Sequence, residues 1–182
     1  FPKKNNIVAK QDLVKKISSK LNNISNNKKI GIAWKSKRFF FGKGKSLNIS
    51  EFELIFKLKN IDFVNLQYNE THESIINLNK EKNLNIISLP EIDLFNDFEG
   101  TAALLSCLDL FITVSNTTAH LAGALNIPTW LIKPEKYAIF HYWNQKSNKT
   151  PWYSSIKLFE KEPKNSILMK NLQQELEKKF NL

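Results

Sequence analysis

Cysteine is almost absent: Cys107 is the only one in 182 residues. A lone thiol excludes an internal disulfide and fits a reducing compartment. Histidine is nearly as rare. His72, His120 and His141 are scattered along the chain and, with one cysteine, give no metal-ligand spacing, so no metal site is expected. No run of about 18 apolar residues occurs, so no membrane-spanning helix is expected. A charged region followed by an apolar core and a cleavage site is also missing, so no signal peptide is expected and a cytoplasmic location is the default. Glycine motifs are missing as well. Without a Gly-x-Gly-x-x-Gly or a nucleophile elbow, dehydrogenase and hydrolase readings lose their support. The loop around Lys45 does not fit the phosphate-loop spacing of nucleoside triphosphatases.

Acidic residues are in the minority, 17 against 27 basic ones, for a net charge of +10. The lysines are spread among many asparagines along the whole chain, which is a compositional bias rather than a nucleic-acid-binding patch. No nucleic-acid partner is expected. Only residues 35–45 are dense enough in cations to suggest an anion site, and the charge alone allows a weak peripheral contact with anionic membranes. A hydrophobic share of 42% over this length is enough for one domain with a substantial core.

What is present is an alternation of strands and helices. Residues 1–27 read as a leading segment: a basic, polar end over 1–6, trimmed or disordered, then a linker helix over 7–24 with apolar residues at a helical rhythm. The domain proper is expected over 28–182. Strands are expected at 28–36, 61–67, 84–89, 110–114 and 129–132, with one more short strand at 156–159. Helices are expected between them: one capped by Asn48 or Ser50 and running to 58, one from the loop at 68–73 to 82, one over 95–108 after Asn96 or Asp97, and one over 119–125 stopped by Asn126. A helix started by Pro163 runs to 180. The fold class is therefore α/β, a Rossmann-like doubly wound parallel sheet of order 3-2-1-4-5 with a C-terminal helix.

In such a sheet the crevice opens beyond the carboxyl ends of the first and fourth strands. The loops that reach it are 35–46 and 115–118, which are also the two most anion-ready loops of the sequence. Ser115, Asn116, Thr117 and Thr118 open a helix and can bind phosphate through hydroxyls and backbone N–H groups, although capping alone needs only one of them. His120, in the first turn of that helix, is either a hydrogen-bond donor to phosphate or sugar or a buried structural histidine. Lys45 and Ser46, with Lys35, Ser36, Lys37 and Arg38, can grip a diphosphate from the opposite wall; the alternative is a solvated basic loop. Glu73 is placed to accept hydrogen bonds from a ribose, or is a solvent-facing carboxylate at a helix start. Asp97, Glu99 and Thr101 read mainly as helix-start chemistry.

Val114-Ser-Asn-Thr-Thr-Ala-His-Leu-Ala-Gly-Ala-Leu125, preceded by Thr101-Ala-Ala-Leu-Leu105 and Leu108-Asp-Leu110, resembles the heptosyltransferase-like glycosyltransferases of family nine. The likeness is greatest to relatives at the C-terminal end of tetratricopeptide-repeat proteins, and the segments 31–36, 45–46, 64–68 and 151–153 resemble segments of that group. The heptosyltransferases carry an Asp-Thr-Gly turn where this chain reads Ser115-Asn116-Thr117. The resemblance implies the C-terminal half of a GT-B glycosyltransferase, which binds a nucleoside-diphosphate sugar as donor and needs neither metal nor cofactor. By position, Ser115 to Thr118 and His120 would hold diphosphate and donor sugar, Ser36, Lys45 and Ser46 would support the phosphates, and Glu73 would contact the ribose. The partners implied are the donor and a missing N-terminal acceptor domain or repeat array, with a glycan, lipid or protein as acceptor. The catalytic base is not identified. A non-catalytic nucleotide-sugar-binding module and a nucleotide-sugar epimerase are the alternatives.

Overall fold

The centre of the molecule is a strand that no water reaches. Leu110–Val114 (β4) is five consecutive buried residues, and Lys28–Ala33 (β1) beside it is buried after its first residue. The computed structural model describes residues 7–37, 42–68, 72–134, 138–143, 147–161 and 165–182. The expectations for the end at 1–6, for Arg38 and for the start at Pro163 fall outside them, as do residues 69–71 of the loop before the second expected crossover.

Ile61–Asn65 (β2), Ile86–Ile87 (β3), Thr129–Ile132 (β5) and Ile156–Phe159 (β6) complete one sheet of order β3-β2-β1-β4-β5-β6, every pair parallel. The expected order holds and β6 extends it at one edge. Gln11–Ile24 (α1), Gly42–Lys45 (α2), Glu53–Phe56 (α3), His72–Lys82 (α4), Phe98–Leu105 (α5), Thr117–Ala124 (α6) and Asn165–Phe180 (α7) make the connections and ends. Among the described residues no helix is long and apolar enough to cross a membrane.

Alternation along each strand sends neighbours to opposite faces, and the two faces are covered by different helices. One face buries Ile30, Ile32, Leu110 and Ile112 against Phe52 and Ile55 of the first crossover, Ile75 of α4 and Leu168, Leu172 and Leu176 of α7. The other buries Ala33, Val64 and Phe111 against Ile17 and Leu21 of α1 and Ala103 to Leu105 of α5. The leading helix thus packs into the same core as the sheet. Only the first crossover departs from a single expected helix. Asn48 and Glu51 form a reciprocal capping box, and the chain continues as a 3-10 turn, Ile49–Phe52, before α3.

The two ends of the sheet differ in chemistry. At the amino end, buried Lys29 pairs with Asp62 at 2.8 Å across β1 and β2, and Ser25 and Asn27 also donate to that carboxylate. Burial works against the Asp62 charge, yet the hydrogen bonds from Lys29, Ser25 and Asn27 outweigh it and hold its pKa below the usual carboxylate value. The carboxyl end is open, and the cleft lies there.

Candidate functional site

β4 stops because Ser115 and Asn116 turn the chain into α6. The Asn116 side chain accepts from the Ala119 N–H at 2.9 Å and donates to Thr113 Oγ1 at 3.2 Å, so this one residue both caps the helix and ties it to the strand. Ser115 Oγ accepts from the buried Trp143 indole at 3.1 Å. With capping and bracing assigned to Asn116 and Ser115, Thr117 and Thr118 are not needed for either. The helix start carries partial positive charge and N–H groups without intrahelical partners.

The opposite wall is the loop after β1. Its shape depends on a neighbour: Gln67, just past β2, accepts from the backbone N–H of both Trp34, at 2.8 Å, and Lys35, at 2.7 Å. The Ser36 N–H donates to Ser46 Oγ at 3.0 Å, and the Lys37 N–H donates to the Tyr68 hydroxyl at 3.2 Å. Lys45, at the end of the single helical turn α2, is only 6% exposed, and its Nζ lies 4.2 Å from the centre of the Phe140 ring.

Between these walls lies a cleft of about 680 Å³, a size suited to a small-molecule ligand. One end is polar: Ser36 and Lys45 from the first loop meet Ser115, Asn116, Thr117, Thr118 and His120 from the second. The other end is largely apolar, built by Tyr68, Leu94, Phe95, Phe98 and Leu121 with Thr101. Phe95 and Phe98 are 50% and 57% exposed, and Lys37 Nζ lies 5.0 Å from the Phe95 ring centre. His120 is held by aromatics: Nδ1 bonds the Tyr153 hydroxyl at 3.1 Å and the ring stacks on Trp143 at 5.0 Å. Burial, and then the positive charge of Lys45, push its pKa below the ordinary histidine value, so it is neutral near pH 7.

No protein-family model matches the chain. It is similar to the protein FlbA of Caulobacter vibrioides, with 28% identity over 162 residues that make up 87% of this chain and 26% of FlbA. Among solved structures it superimposes on a glycosyl transferase family 9 protein from Veillonella parvula with a TM-score of 0.64, at 11% identity over 93% of this chain and 46% of that one. The ADP-heptose lps heptosyltransferase II of E. coli gives a TM-score of 0.61 at 14% identity, over 98% of this chain and 56% of that one. The chain shares its fold with the matched part of these two structures. It spans a quarter of FlbA and about half of each of the two transferases.

Within that fold, seven of the nine residues that the resemblance assigns to donor, phosphate and ribose line one cleft; Lys37 of the basic loop lines it too, and Lys35 is not among the described residues of the lining. Ser46 stands behind it as the acceptor that orients Ser36. Glu73 is exposed in the first turn of α4 and is not among the described residues of the lining. Sequence reasoning missed the apolar end. Phe95 and Phe98 read only as the start of a helix and are given no role, whereas α5 begins at Phe98 and both rings are exposed. Asp97 and Glu99 are helix-start chemistry as expected, Asp97 as the cap accepting from Gly100 and Glu99 as the partner of Lys10. Thr101 is buried in the lining instead, and only its neighbourhood could have shown that.

Proposed function

We propose that this chain is the donor-binding half of a metal-independent glycosyltransferase, holding a nucleoside-diphosphate sugar for transfer to a glycan, lipid or protein acceptor. The observation that carries this reading is the convergence of buried Lys45, the α6 N-terminus and neutral His120 on one cleft at the carboxyl ends of β1 and β4. The fold it shares with two glycosyltransferases, one of them named for ADP-heptose, supports the same reading. The diphosphate lies over the first turn of α6 between Lys45, Ser36 and the 115–118 turn, and the nucleoside lies against Tyr68, Phe95 and Phe98. As the sugar leaves, negative charge grows on the diphosphate, and the Lys45 ammonium and the helix N–H groups stabilise it because they are already in place. His120, neutral near pH 7 in the free chain, donates a hydrogen bond there.

Among the described residues that line the cleft there is no carboxylate to activate an acceptor hydroxyl. The base is then supplied by a second half, the acceptor domain or a repeat array, and the chain alone binds donor without turning it over. The protein works in the cytoplasm, with at most a weak peripheral attraction to anionic membranes, and takes no nucleic acid. Titration calorimetry with UDP, ADP, GDP and CMP, followed by their sugars, tests the reading. Saturable binding of one nucleotide, displaced by its own sugar conjugate, is expected. Absence of binding by all four, in this chain and in one that carries the second half, would overturn it.

A further inference from the structure

We propose that Thr101 reads the nucleoside part of the ligand, its hydroxyl forming the one side-chain hydrogen bond that the apolar end of the cleft offers from α5. The inference rests on the donor-binding reading above and names how that site chooses among nucleosides. Thr101 is 4% exposed, and its Oγ1 is buried with no hydrogen-bond partner among the described residues. A helical threonine ordinarily resolves this by bonding the carbonyl one turn back, as Ser106 Oγ does to the Ala102 carbonyl at 2.8 Å, yet the Thr101 hydroxyl makes no such bond. An unmade hydrogen bond at a buried hydroxyl costs stability in the empty protein and is recovered when a ligand supplies the partner.

Two further buried groups lack partners, Trp34 Nε1 and Ser155 Oγ, but neither residue lines the cleft. Thr101 does. It follows Phe98 by three positions on α5, so the two side chains share a helix face, the ring exposed and the hydroxyl buried. The backbone of this helix start is satisfied by Asp97, which accepts from Gly100 at 2.8 Å, so the hydroxyl and not the helix end is the recognising group. Lys37 Nζ lies 5.0 Å from the Phe95 ring centre and Lys45 Nζ lies against Phe140, so both cations have aromatic neighbours, and the Thr101 hydroxyl is assigned a neutral partner, a ribose hydroxyl or a polar edge of the base. A hydroxyl both donates and accepts, and a site built around one discriminates strongly against analogues that leave it unpaired.

The test is calorimetric titration of the whole chain and its Thr101→Val and Thr101→Ser variants with the nucleoside diphosphate that binds and with inorganic pyrophosphate. Thr101→Val should weaken the nucleoside diphosphate about tenfold, which is the loss of one hydrogen bond, and leave pyrophosphate unchanged. Thr101→Ser should restore most of the loss. Because valine replaces an unpartnered hydroxyl at nearly equal volume, the melting temperature of the empty Val variant should match or exceed that of the parent. Equal nucleotide affinity in parent and Val variant would overturn the role of Thr101 alone. Parallel losses for nucleotide and pyrophosphate would move the contact to the phosphates and overturn it too, as would a lower melting temperature of the empty Val variant. Absence of nucleotide binding by the parent chain, alone and joined to the second half, would remove the donor reading itself.

Discussion

His120 is the residue whose protonation the site controls most directly. Its ring is enclosed by Trp143, Tyr142 and Tyr153, and burial first, the Lys45 charge second, hold it neutral below its ordinary titration range. The sign of the consequence follows. A depressed native pKa means that the unfolded chain takes up this proton first as pH falls, so the protein loses stability below about pH 6.5, the ordinary histidine value. An anion bound beside the ring reverses the shift because it favours the imidazolium. Nuclear magnetic resonance titration of the His120 ring should therefore give a midpoint below 6.5 in the free chain and a higher one with a nucleoside diphosphate bound. Calorimetry in buffers of different ionisation enthalpy should register proton uptake on binding near pH 6. A free-chain midpoint at or above 6.5 would show that the aromatic enclosure is open in solution, and Lys45 would then be the sole cation assigned to the phosphates.

At the level of elements, α6 and the aromatic segment after β5 form one device. Gly123 faces Tyr153 so closely that a Cβ there would overlap the ring, and it is this approach that brings the phenol to His120 Nδ1. Gly123→Ala should cost about 1–3 kcal/mol of stability by overpacking, measured by urea denaturation, and should also free the His120 ring. Tyr153→Phe should leave stability within about 1 kcal/mol, the scale of one hydrogen bond, yet change the His120 tautomer seen in its ring nitrogen shifts. Unaltered shifts in both variants would deny Tyr153 its positioning role. The sequence made half of this device legible. β4, the Asn116 cap and the stop at Asn126, whose φ of 59° is the left-handed turn expected of an asparagine after a helix, are local features set by neighbours in the chain. The partnership of Trp143 with Ser115 and of Tyr153 with His120 spans 28 and 33 residues, and no periodicity records it. Lys45 is singled out by position, with a solvated basic loop as the alternative, but its burial against Phe140 is not recorded in the sequence. The burial of Thr101 in the lining escapes the sequence for a related reason: its place beside Asp97 and Glu99 is that of a helix start, and its surroundings are visible only in three dimensions.

Across the whole molecule, the cleft and a buried ion pair lie at opposite ends of the sheet. The carboxyl ends of β1 and β4 carry the cleft, while the amino ends of β1 and β2 carry the buried Lys29–Asp62 pair with Ser25 and Asn27 around it. Removing one member of a buried ion pair leaves an uncompensated charge, which costs about 3–5 kcal/mol. Lys29→Met should therefore lower the urea midpoint by that equivalent while nucleotide affinity, measured well below the transition, stays at the parent value. Asp62 gives the separation a second signature. Its native pKa is depressed, so the stability it contributes is present above the unfolded carboxylate value of about 4 and is lost as pH falls through that range. His120 loses stability earlier, from about pH 6.5 downwards, so acid should weaken the protein in two stages. Asp62→Asn should remove the later stage and spare the earlier one, and His120→Gln should do the reverse. If Lys29→Met weakened nucleotide binding as much as it weakened folding, the two ends of the sheet would be coupled, and an ion pair at the floor of β1 and β2 would have to be counted among the groups that shape the cleft.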